Sequence, residues 1–429
     1  MTLRPLTVVH LSDLHFIVGD TGRAEREAHQ RRRILEDVAD LAGAGLKVDA
    51  VLVTGDVAFS GQEDQYRLAD QWLNNLADTL HISRSRVIVC PGNHDIDRSA
   101  IDDVHRQHRK DLAACAPNMV DAAIDKLLQG EDPAVLGPLG NYSRFAAGRE
   151  AGLDQSLCWD TSLGFGDGYR LRIRGAMSVL NSCENDGPGT MVVHTNQIRV
   201  AREPGVAHLL MIHHGTWFWR VPDPDPAECG HHVVLYGHTH RPKVRHIENC
   251  VEVTAGAVHP DQTVDRPDST YNILLMSISE SDPSEASVPM SVRVRQRSCP
   301  GTADHYAAGA ERTLIVWIPR ADASSDTKSE PERRDTSPGQ DGTPSVSAEP
   351  EERAPLDSPE GGSDARRDVA LEFEQIGVGD RLRIVADLGL GIVGAASMRP
   401  EQLIRTVSQA VVERDLTTEF FEAVHRVRS

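Results

Sequence analysis

Short apolar runs recur along the first 240 residues, and each run ends at a cluster of polar residues. The runs span residues 7–9, 50–53, 86–89, 209–212 and 233–236. They are rich in β-branched residues and do not alternate with polar ones, so they predict strands that are buried on both faces. Residues 170–174 and 290–295 do alternate, which predicts half-buried strands. The pattern as a whole indicates an α/β fold.

Five polar motifs stand directly after these predicted strands. Because the functional loops of open α/β sheets gather at the carboxyl ends of the strands, we expect the motifs to meet at one site. Glycines beside the presumed ligands allow the backbone to approach the site closely. In chain order the motifs are Asp13-Leu14-His15, Gly55-Asp56, Gly92-Asn93-His94-Asp95, His213-His214 and Gly237-His238-Thr239-His240.

The oxygen and nitrogen ligands in these motifs match the needs of a two-metal hydrolase. Two divalent cations about 3.5–4 Å apart can clamp an in-line displacement at phosphorus. Asp56 is expected to bridge the two ions. Asp13, His15 and His240 are expected to bind one ion, and Asn93, His213 and His238 the other. Imidazole and carboxylate ligands suit Mn, Fe, Zn, Co or Ni, and the ligand set does not choose among them.

The ordered set of motifs resembles that of the calcineurin-like metallophosphoesterases. The resemblance covers residues 5–320 and extends to Asn181-Ser182 after a strand and Tyr271-Asn272 in a late strand. It implies a four-layer αββα sandwich around a dinuclear centre. It also implies that His94 contacts the substrate phosphate and assists the leaving group, and that Asp95 orients His94. Of the adjacent pair, it implies that His213 is the ligand and His214 a neighbour of the site.

Other histidines and a group of aromatic residues have plainer interpretations. His105 and His108 lie in a charged helical segment and are expected to be solvated, whereas His231 and His232 are expected in a surface turn before a strand. The aromatic segment 217–219 follows the His213 motif. It either stacks a nucleobase or packs in the core, and core packing is the commoner fate of such triplets.

The chain divides into a catalytic part and two further segments. The catalytic domain is expected over residues 1–320, with a helical insertion at 97–153 that is either a substrate-selecting cap or a surface decoration. Within the insertion, segments 101–115 and 119–128 carry apolar residues at helical spacing. Residues 321–368 are dense in Ser, Pro, Gly, Asp and Glu, which predicts a disordered linker. Residues 369–429 carry apolar residues at helical spacing and predict a small all-α bundle.

The predicted bundle has no cluster of catalytic residues, so binding is its expected task. The run 379–384, together with Leu388-Gly389-Leu390, resembles the effector-associated domains of bacterial conflict systems. That resemblance implies a death-fold-like module that recruits an effector to a protein partner. The alternative is a dimerisation or packing bundle of no particular family.

Charge and cysteine content restrict the setting of the protein. The net charge is −19, and after removing −7 for residues 321–368 and −2 for 369–429 the catalytic part keeps −10. This counts against a general duplex-binding nuclease, which needs a positive face, without excluding a local basic groove. Seven scattered cysteines, no evident signal peptide and no membrane-spanning stretch predict a cytoplasmic protein.

These observations together predict a metal-dependent phosphoesterase that a C-terminal module recruits to a partner in a regulatory or antiviral-defence assembly. Phosphodiesters such as cyclic nucleotides or nucleic-acid ends are the favoured substrates. Two alternatives stay open: a phosphomonoesterase acting on a protein or a small molecule, and a non-catalytic scaffold.

Overall fold

The apolar runs form strands of two mixed sheets, with six strands in each sheet. In the described part of the chain the strands are β1 Leu6–Leu11, β2 Ala50–Thr54, β3 Val87–Cys90, β4 Cys158–Gly166, β5 Tyr169–Ala176, β6 Val206–Met211, β7 Val233–Tyr236, β8 Lys243–Ile247, β9 Cys250–Thr254, β10 Ser269–Ile278, β11 Ser287–Cys299 and β12 Ala307–Pro319.

The computed structural model describes residues 3–19, 21–129, 134–149, 157–183, 186–220, 228–259, 268–279, 282, 284–300, 303–321, 369–370, 372–373, 376, 378–392, 395 and 400–428. The helices among them are α1 Thr21–Gly43, α2 Glu63–Thr79, α3 Asp103–Ala114, α4 Val120–Leu127, α5 Gly140–Ala147, α6 Thr195–Ile198, α7 Val378–Asp387, α8 Pro400–Glu413 and α9 Thr417–Arg428. Single 3₁₀ turns lie at Arg84–Arg86, Asn93–Asp95, Arg98–Ala100, Pro117–Met119, Ala134–Leu139 and Thr216–Phe218. The expected disordered linker lies outside the described residues apart from Ala321.

The strand order makes the motif-bearing strands neighbours in each sheet. The first sheet has the order β12-β11-β10-β1-β2-β3, and β1, β2 and β3 run parallel. The second sheet has the order β4-β5-β6-β7-β9-β8, and β5, β6, β7 and β9 run parallel. Since parallel strands end at the same edge of a sheet, every motif loop leaves its sheet on one side.

The two sheets pack face to face around a shared apolar core. Leu52 and Leu274 of the first sheet belong to the same buried cluster as Leu209, Leu235 and other residues of the second. The next residues along these strands point to the outer faces, as the period of two in a strand requires. Runs that are apolar at every position are therefore buried on both sides, as predicted.

Helices α1 and α2 cover the outer face of the first sheet, with Ile34 and Leu73 in the same buried cluster as Val51. The outer face of the second sheet is covered by the short helix α6, the turn Thr216–Phe218 and irregular segments between them. The predicted α/β architecture of two stacked sheets with helices is confirmed, although this last layer contains little regular helix.

The insertion is helical, as predicted, and packs against α2. Tyr142 and Phe145 of α5 contact Tyr66 of α2, with ring centroids 6.2 and 5.0 Å away. The Asn141 amide donates to the Gly61 carbonyl at 2.8 Å. The described residues of the insertion thus join the edge of the catalytic part near the Gly92–Asp95 loop.

The C-terminal helices α7, α8 and α9 form around a core of their own. Phe373, Ile384, Val407 and Phe420 are buried in it, which agrees with the helical spacing in the sequence. Phe421 departs from that spacing, since 37% of it is exposed.

The seven cysteines are free thiols. Among the described residues, every helix is too short or too polar to span a lipid bilayer.

Candidate metal centre

All seven expected ligands lie at the carboxyl ends of five strands. Asp13 and His15 follow β1, Asp56 follows β2 and Asn93 follows β3. From the second sheet, His213 follows β6, and His238 and His240 follow β7. The face-to-face packing of the sheets brings these loops together, and the exposed fraction of each ligand is 9% or less except for the half-buried His240.

Asp56 lies at the centre of the group. Its Oδ2 atom is 3.2 Å from His15 Nε2 and 3.4 Å from His213 Nε2. One carboxylate oxygen thus faces a histidine from each sheet. This is the arrangement expected of a ligand shared by two ions.

The remaining ligands divide into two sets on either side of Asp56. On one side, His240 Nε2 lies 3.2 Å from Asp13 Oδ1. On the other side, Asn93 Oδ1 lies 3.1 Å from His213 Nε2 and 3.0 Å from His238 Nδ1. The structure therefore brings together the two ligand sets that the sequence predicts.

The donor atoms have the spacing that a metal ion requires. Ligand atoms lie within 4.8 Å of one another in the groups Asp13/His15/His240, Asp13/Asp56/His213, His15/Asp56/His94 and His213/His214/His238. Imidazole nitrogens and carboxylate oxygens are both ligands of divalent metal ions, so a cation bound among them would be stabilised. The residues thus fit divalent cations.

Backbone contacts point the donor atoms toward the centre. The Thr54 carbonyl lies 2.7 Å from His213 Nδ1, which directs Nε2 at Asp56 and Asn93. The backbone N–H of His94 donates to Asp56 Oδ1 at 2.8 Å, which leaves Oδ2 facing the histidines. Such second contacts fix the orientation of metal ligands.

Five of the seven ligand residues have left-handed backbone conformations. The φ angles are 57° at Asp13, 44° at His15, 53° at Asp56, 68° at His238 and 56° at His240. Hydrogen bonds between loops hold this geometry: the N–H of Asp13 donates to the Gly55 carbonyl at 3.1 Å, and that of His15 to the Asp56 carbonyl at 3.0 Å. This conformation is uncommon for residues with side chains, and strained backbone of this kind clusters at functional sites.

Glycine is required at Gly92 and Gly55 because of close approach. A Cβ atom at Gly92 would collide with the backbone and carboxylate of Asp56. Gly55 has a φ of 93°, and a Cβ there would collide with the His213 ring. The Gly-Asp and Gly-Asn motifs are therefore a packing requirement of the site.

His94 borders the ligand group but is not oriented as expected. Its ring centroid lies 4.7 Å from that of His15, and its Nδ1 atom is 2.8 Å from the Phe59 carbonyl. Asp95 instead accepts hydrogen bonds from the backbone N–H groups of Ala58 at 2.8 Å and Gly92 at 2.9 Å. The carbonyl of Phe59, and not Asp95, orients the His94 ring.

Asp95 therefore supports the loops. It also accepts a hydrogen bond from the Tyr66 hydroxyl at 2.9 Å. Burial and the nearby Asp56 raise the pKa of Asp95 to about 6. The role of Phe59 could not be read from the sequence because it acts through its backbone.

The adjacent residues His213 and His214 have different surroundings. His214 is fully buried, with Nδ1 2.9 Å from Ser178 Oγ and Nε2 3.6 Å from Asp186 Oδ2. Its ring centroid lies 4.3 Å from that of His238. His214 is a neighbour of the site. Ser178 and Asp186 carry no motif in the sequence that would have identified them.

The structure selects core packing, the commoner of the two interpretations of the aromatic segment 217–219, and shows that the surface-turn expectation for His231 and His232 is wrong. Trp217, Phe218 and Trp219 are each exposed by 2% or less, and Phe218 packs on His238 with ring centroids 4.7 Å apart, so the segment is core packing and does not present a base-stacking surface. His231 and His232 are fully buried and do not lie in a surface turn.

Sequence comparison places the site in a known group of proteins. The family model for the calcineurin-like phosphoesterases matches residues 6–242, which is more than half of the 429-residue chain. No curated protein matches the chain.

Several solved structures resemble the chain in fold. GAP50, described as the anchor in the inner membrane complex of Plasmodium, is 9% identical with a TM-score of 0.37, covering 74% of this chain and 90% of that one. A putative 5'-nucleotidase from Staphylococcus aureus is 10% identical with a TM-score of 0.34, covering 76% and 56%. Wild-type Vps29 from Entamoeba histolytica, solved with zinc, is 10% identical with a TM-score of 0.27, covering 73% and 99%. These similarities are too weak to inform substrate or partner.

Proposed function

Since the chain belongs to the calcineurin-like phosphoesterase family and is a metallophosphoesterase, we propose that it hydrolyses phosphodiesters at a centre of two divalent cations. The observation that carries this proposal is Asp56, whose Oδ2 atom lies between His15 and His213 at 3.2 and 3.4 Å. Asp13, His15 and His240 would hold one cation with Asp56. Asn93, His213 and His238 would hold the other.

The bound cations would activate water and neutralise charge on the phosphoryl oxygens. The chain's own task is to fix the ligands before substrate arrives. Buried carboxylates and cross-loop hydrogen bonds do so. The ligand set admits Mn, Fe, Zn, Co or Ni.

His94 is the proposed proton donor to the leaving oxygen. The Phe59 carbonyl only accepts hydrogen bonds, so His94 Nδ1 carries the hydrogen of that contact and Nε2 is left to exchange a proton. Burial lowers the pKa of His94. A protonated His94 would therefore transfer its proton readily to an oxygen that is gaining negative charge.

The surroundings of His94 suit the organic leaving group of a phosphate ester. The Phe59 ring is half-buried and lies 5.3 Å from the His94 ring between centroids. The Arg23 guanidinium lies 4.2 Å above the Phe59 ring. This aromatic wall beside the proposed acid can accept the organic group of an ester. Cyclic nucleotides and nucleic-acid ends are the proposed natural classes.

The first experiment compares two chromogenic esters. Protein stripped with EDTA is reloaded with Mn and assayed with bis-p-nitrophenyl phosphate and p-nitrophenyl phosphate. A phosphodiesterase turns over the first with the higher kcat/KM. Faster turnover of the monoester would establish the phosphomonoesterase alternative. Two bound metals with no turnover of either ester would establish the scaffold alternative.

A second experiment identifies the substrate class. One metal-loaded preparation is offered cyclic nucleotides and single- and double-stranded DNA and RNA. The charge of −10 on the catalytic part predicts that small or single-stranded substrates are cleaved faster than duplexes. A clear preference for duplex DNA would contradict this.

We also propose how the chain is divided into domains. Residues 1–320 are the catalytic domain, 321–368 a flexible linker, and 369–429 a recruitment module, in keeping with its resemblance to effector-associated domains and a role in antiviral defence. Its separate apolar core supports independent folding. On its surface, Thr418, Phe421, Glu422 and Arg426 line a groove of about 580 Å³ for a protein partner. The seven free cysteines support a reducing compartment, which we propose is the cytoplasm.

The recruitment module is tested by dividing the chain. The isolated fragment 369–429 should be helical by circular dichroism and should bind a like module or itself. A chain cut after residue 320 should still hydrolyse small esters. Loss of metal or of solubility in the shortened chain would show that the helices are an integral piece of the catalytic domain.

A further inference from the structure

The C-terminal helices contact the catalytic part at two places on the edge of the metal centre. The Arg241 guanidinium pairs with the Glu372 carboxylate at 3.1 Å. Helix α8 packs against the turn Thr216–Phe218. Arg241 directly follows the proposed ligand His240, and Phe218 packs on the proposed ligand His238. The helices are therefore docked beside the His238–His240 loop.

This docking does not merge the two apolar cores. Among the described residues, the buried cluster of the C-terminal helices contains only residues from 369 to 424. The clusters of the catalytic part end at residue 318. Helices that keep a complete core of their own can leave the catalytic surface without unfolding. The connecting segment 321–368 has 48 residues, and a flexible chain of that length spans roughly 35–40 Å.

Arg241 is well suited to bind an anionic substrate. A guanidinium presents paired donors that match the oxygens of a phosphate or a carboxylate. Arg241 directly follows the proposed ligand His240 and is partly exposed, so it borders the proposed metal centre. The Glu372 carboxylate carries the charge and the oxygen pair that a substrate phosphate would offer. Glu372 and the substrate would thus compete for one arginine.

We infer that the docked C-terminal helices occupy Arg241, a substrate-binding residue, through Glu372, and that release of the helices frees Arg241 for the phosphodiester. This inference rests on the proposed function for the identity of the substrate but not for the docking itself. Binding of a partner to the helices would then raise the apparent affinity for substrate. Recruitment and activation become one event.

The test uses full-length protein and two substitutions that each replace a glutamate by glutamine. Glu372→Gln removes the charge that faces Arg241. Glu413→Gln is the control, because Glu413 is exposed in α8 and accepts a hydrogen bond from Gln409 of the same helix. Each protein is assayed with bis-p-nitrophenyl phosphate and with the p-nitrophenyl ester of thymidylate, a larger diester. Hydrogen exchange of the backbone amides of residues 216–218 reports docking independently of activity.

Glu372→Gln should lower KM for both diesters about two- to fivefold, which is the effect expected from losing a half-exposed ion pair. Its kcat should stay unchanged, and exchange at residues 216–218 should become faster. Glu413→Gln should behave as the wild type in both measurements. A chain cut after residue 320 sets the limit for complete release.

A charge swap separates docking from substrate binding. The single variant Arg241→Glu should raise KM and speed exchange at residues 216–218. The double variant, Arg241→Glu with Glu372→Arg, should restore slow exchange but keep the raised KM. Unchanged exchange in Glu372→Gln would overturn the docking, whatever KM does. Faster exchange with unchanged KM would overturn the role of Arg241. If no variant hydrolyses any ester, the proposed function fails, and the exchange data still decide the docking.

Discussion

Strands β6 and β7 of the second sheet carry histidines at both of their ends. The histidines at the two ends differ in how their surroundings shift the pKa. At the carboxyl ends of β6 and β7 lie His213 and His238 of the proposed metal centre. At the start of the same strands lie His208, within β6, and the pair His231 and His232, just before β7. Both groups are buried. Burial therefore does not distinguish a ligand histidine from a packing histidine in this protein.

A nearby carboxylate distinguishes His213 from the histidines at the start of the strands. Burial by itself lowers the pKa of His213, but Asp56 outweighs this effect and raises it to about 9. Burial lowers the pKa of His231 and of His232 to about 3, and that of His208 to about 4. His231 Nε2 lies 2.7 Å from the Ile198 carbonyl, and the His208 N–H donates to His232 Nδ1 at 3.0 Å. These histidines are neutral packing residues, while the ligands are arranged for cations.

The largest effect is expected from replacing Asp56, the carboxylate at the centre of the proposed metal site. Asp56→Asn should remove the shared ligand, deplete both metals and abolish turnover. The matched control is Asp49→Asn, which makes the same change just before β2, at the opposite end from Asp56. Elemental analysis and a diester assay measure the outcome. Two tightly bound metals in Asp56→Asn would show that Asp56 does not bridge.

His94→Ala should separate chemistry from metal binding. Metal content should stay near that of the wild type, and turnover should fall by roughly 10²–10⁴, the usual contribution of a positioned acid. Because phenolate leaving groups need little protonation, nitrophenyl esters should lose less than alkyl esters. An equal loss with both would point to stabilisation of the phosphate instead.

The two ends of the strands should respond differently to the same substitution. His213→Gln should reduce metal content without a large loss of fold. His231→Gln should keep the metal but lower the free energy of unfolding by about 1–3 kcal/mol, the usual effect of disturbing a buried polar contact. Elemental analysis and urea denaturation measure the two outcomes. Metal loss in His231→Gln would erase the contrast between the ends.

The smallest expected effect is on how the unfolding free energy of the metal-free protein depends on pH. It should fall toward acid pH, the acid arm, and toward alkaline pH, the alkaline arm. The lowered pKa of His231 and of His232 gives stability that is present above pH 6.5 and is lost as the pH falls toward 3. The raised pKa of His213 gives stability that is present below pH 6.5 and is lost as the pH rises through 9. Each group changes the unfolding free energy by at most about 1.4 kcal/mol per pH unit.

Urea midpoints of EDTA-treated protein across this range measure both arms. His213→Gln should remove the alkaline arm and leave the acid arm in place. A wild-type profile that is flat from pH 5 to 9 would contradict both assignments.

The sequence predicts the metal end well because each ligand stands beside an easily recognised strand. A run such as Ala50–Val53 fixes the direction and end of β2, and Asp56 follows within three residues. Parallel neighbours then bring the loops to one edge. Local pattern and chain order are sufficient for the fold, for the meeting of the proposed ligands at one edge and for the helical insertion.

The errors share a physical cause. The burial of His231 is decided by what covers the outer face of the second sheet, and those covering segments are irregular and come from distant parts of the chain. The Phe59 carbonyl that orients His94 leaves no trace in residue type. The docking of Glu372 on Arg241 joins positions 131 residues apart. No local pattern encodes such contacts.

The left-handed backbone at five ligand residues has a consequence for how this protein can change. Each such residue is expected to destabilise the fold by about 1–3 kcal/mol. Replacing Asp13 or Asp56 by glycine would relieve that burden and remove a ligand in the same step. Variants selected only for thermal resistance should therefore accumulate glycine at these loops and lose the metal centre, so that stability and activity oppose each other at the same five positions.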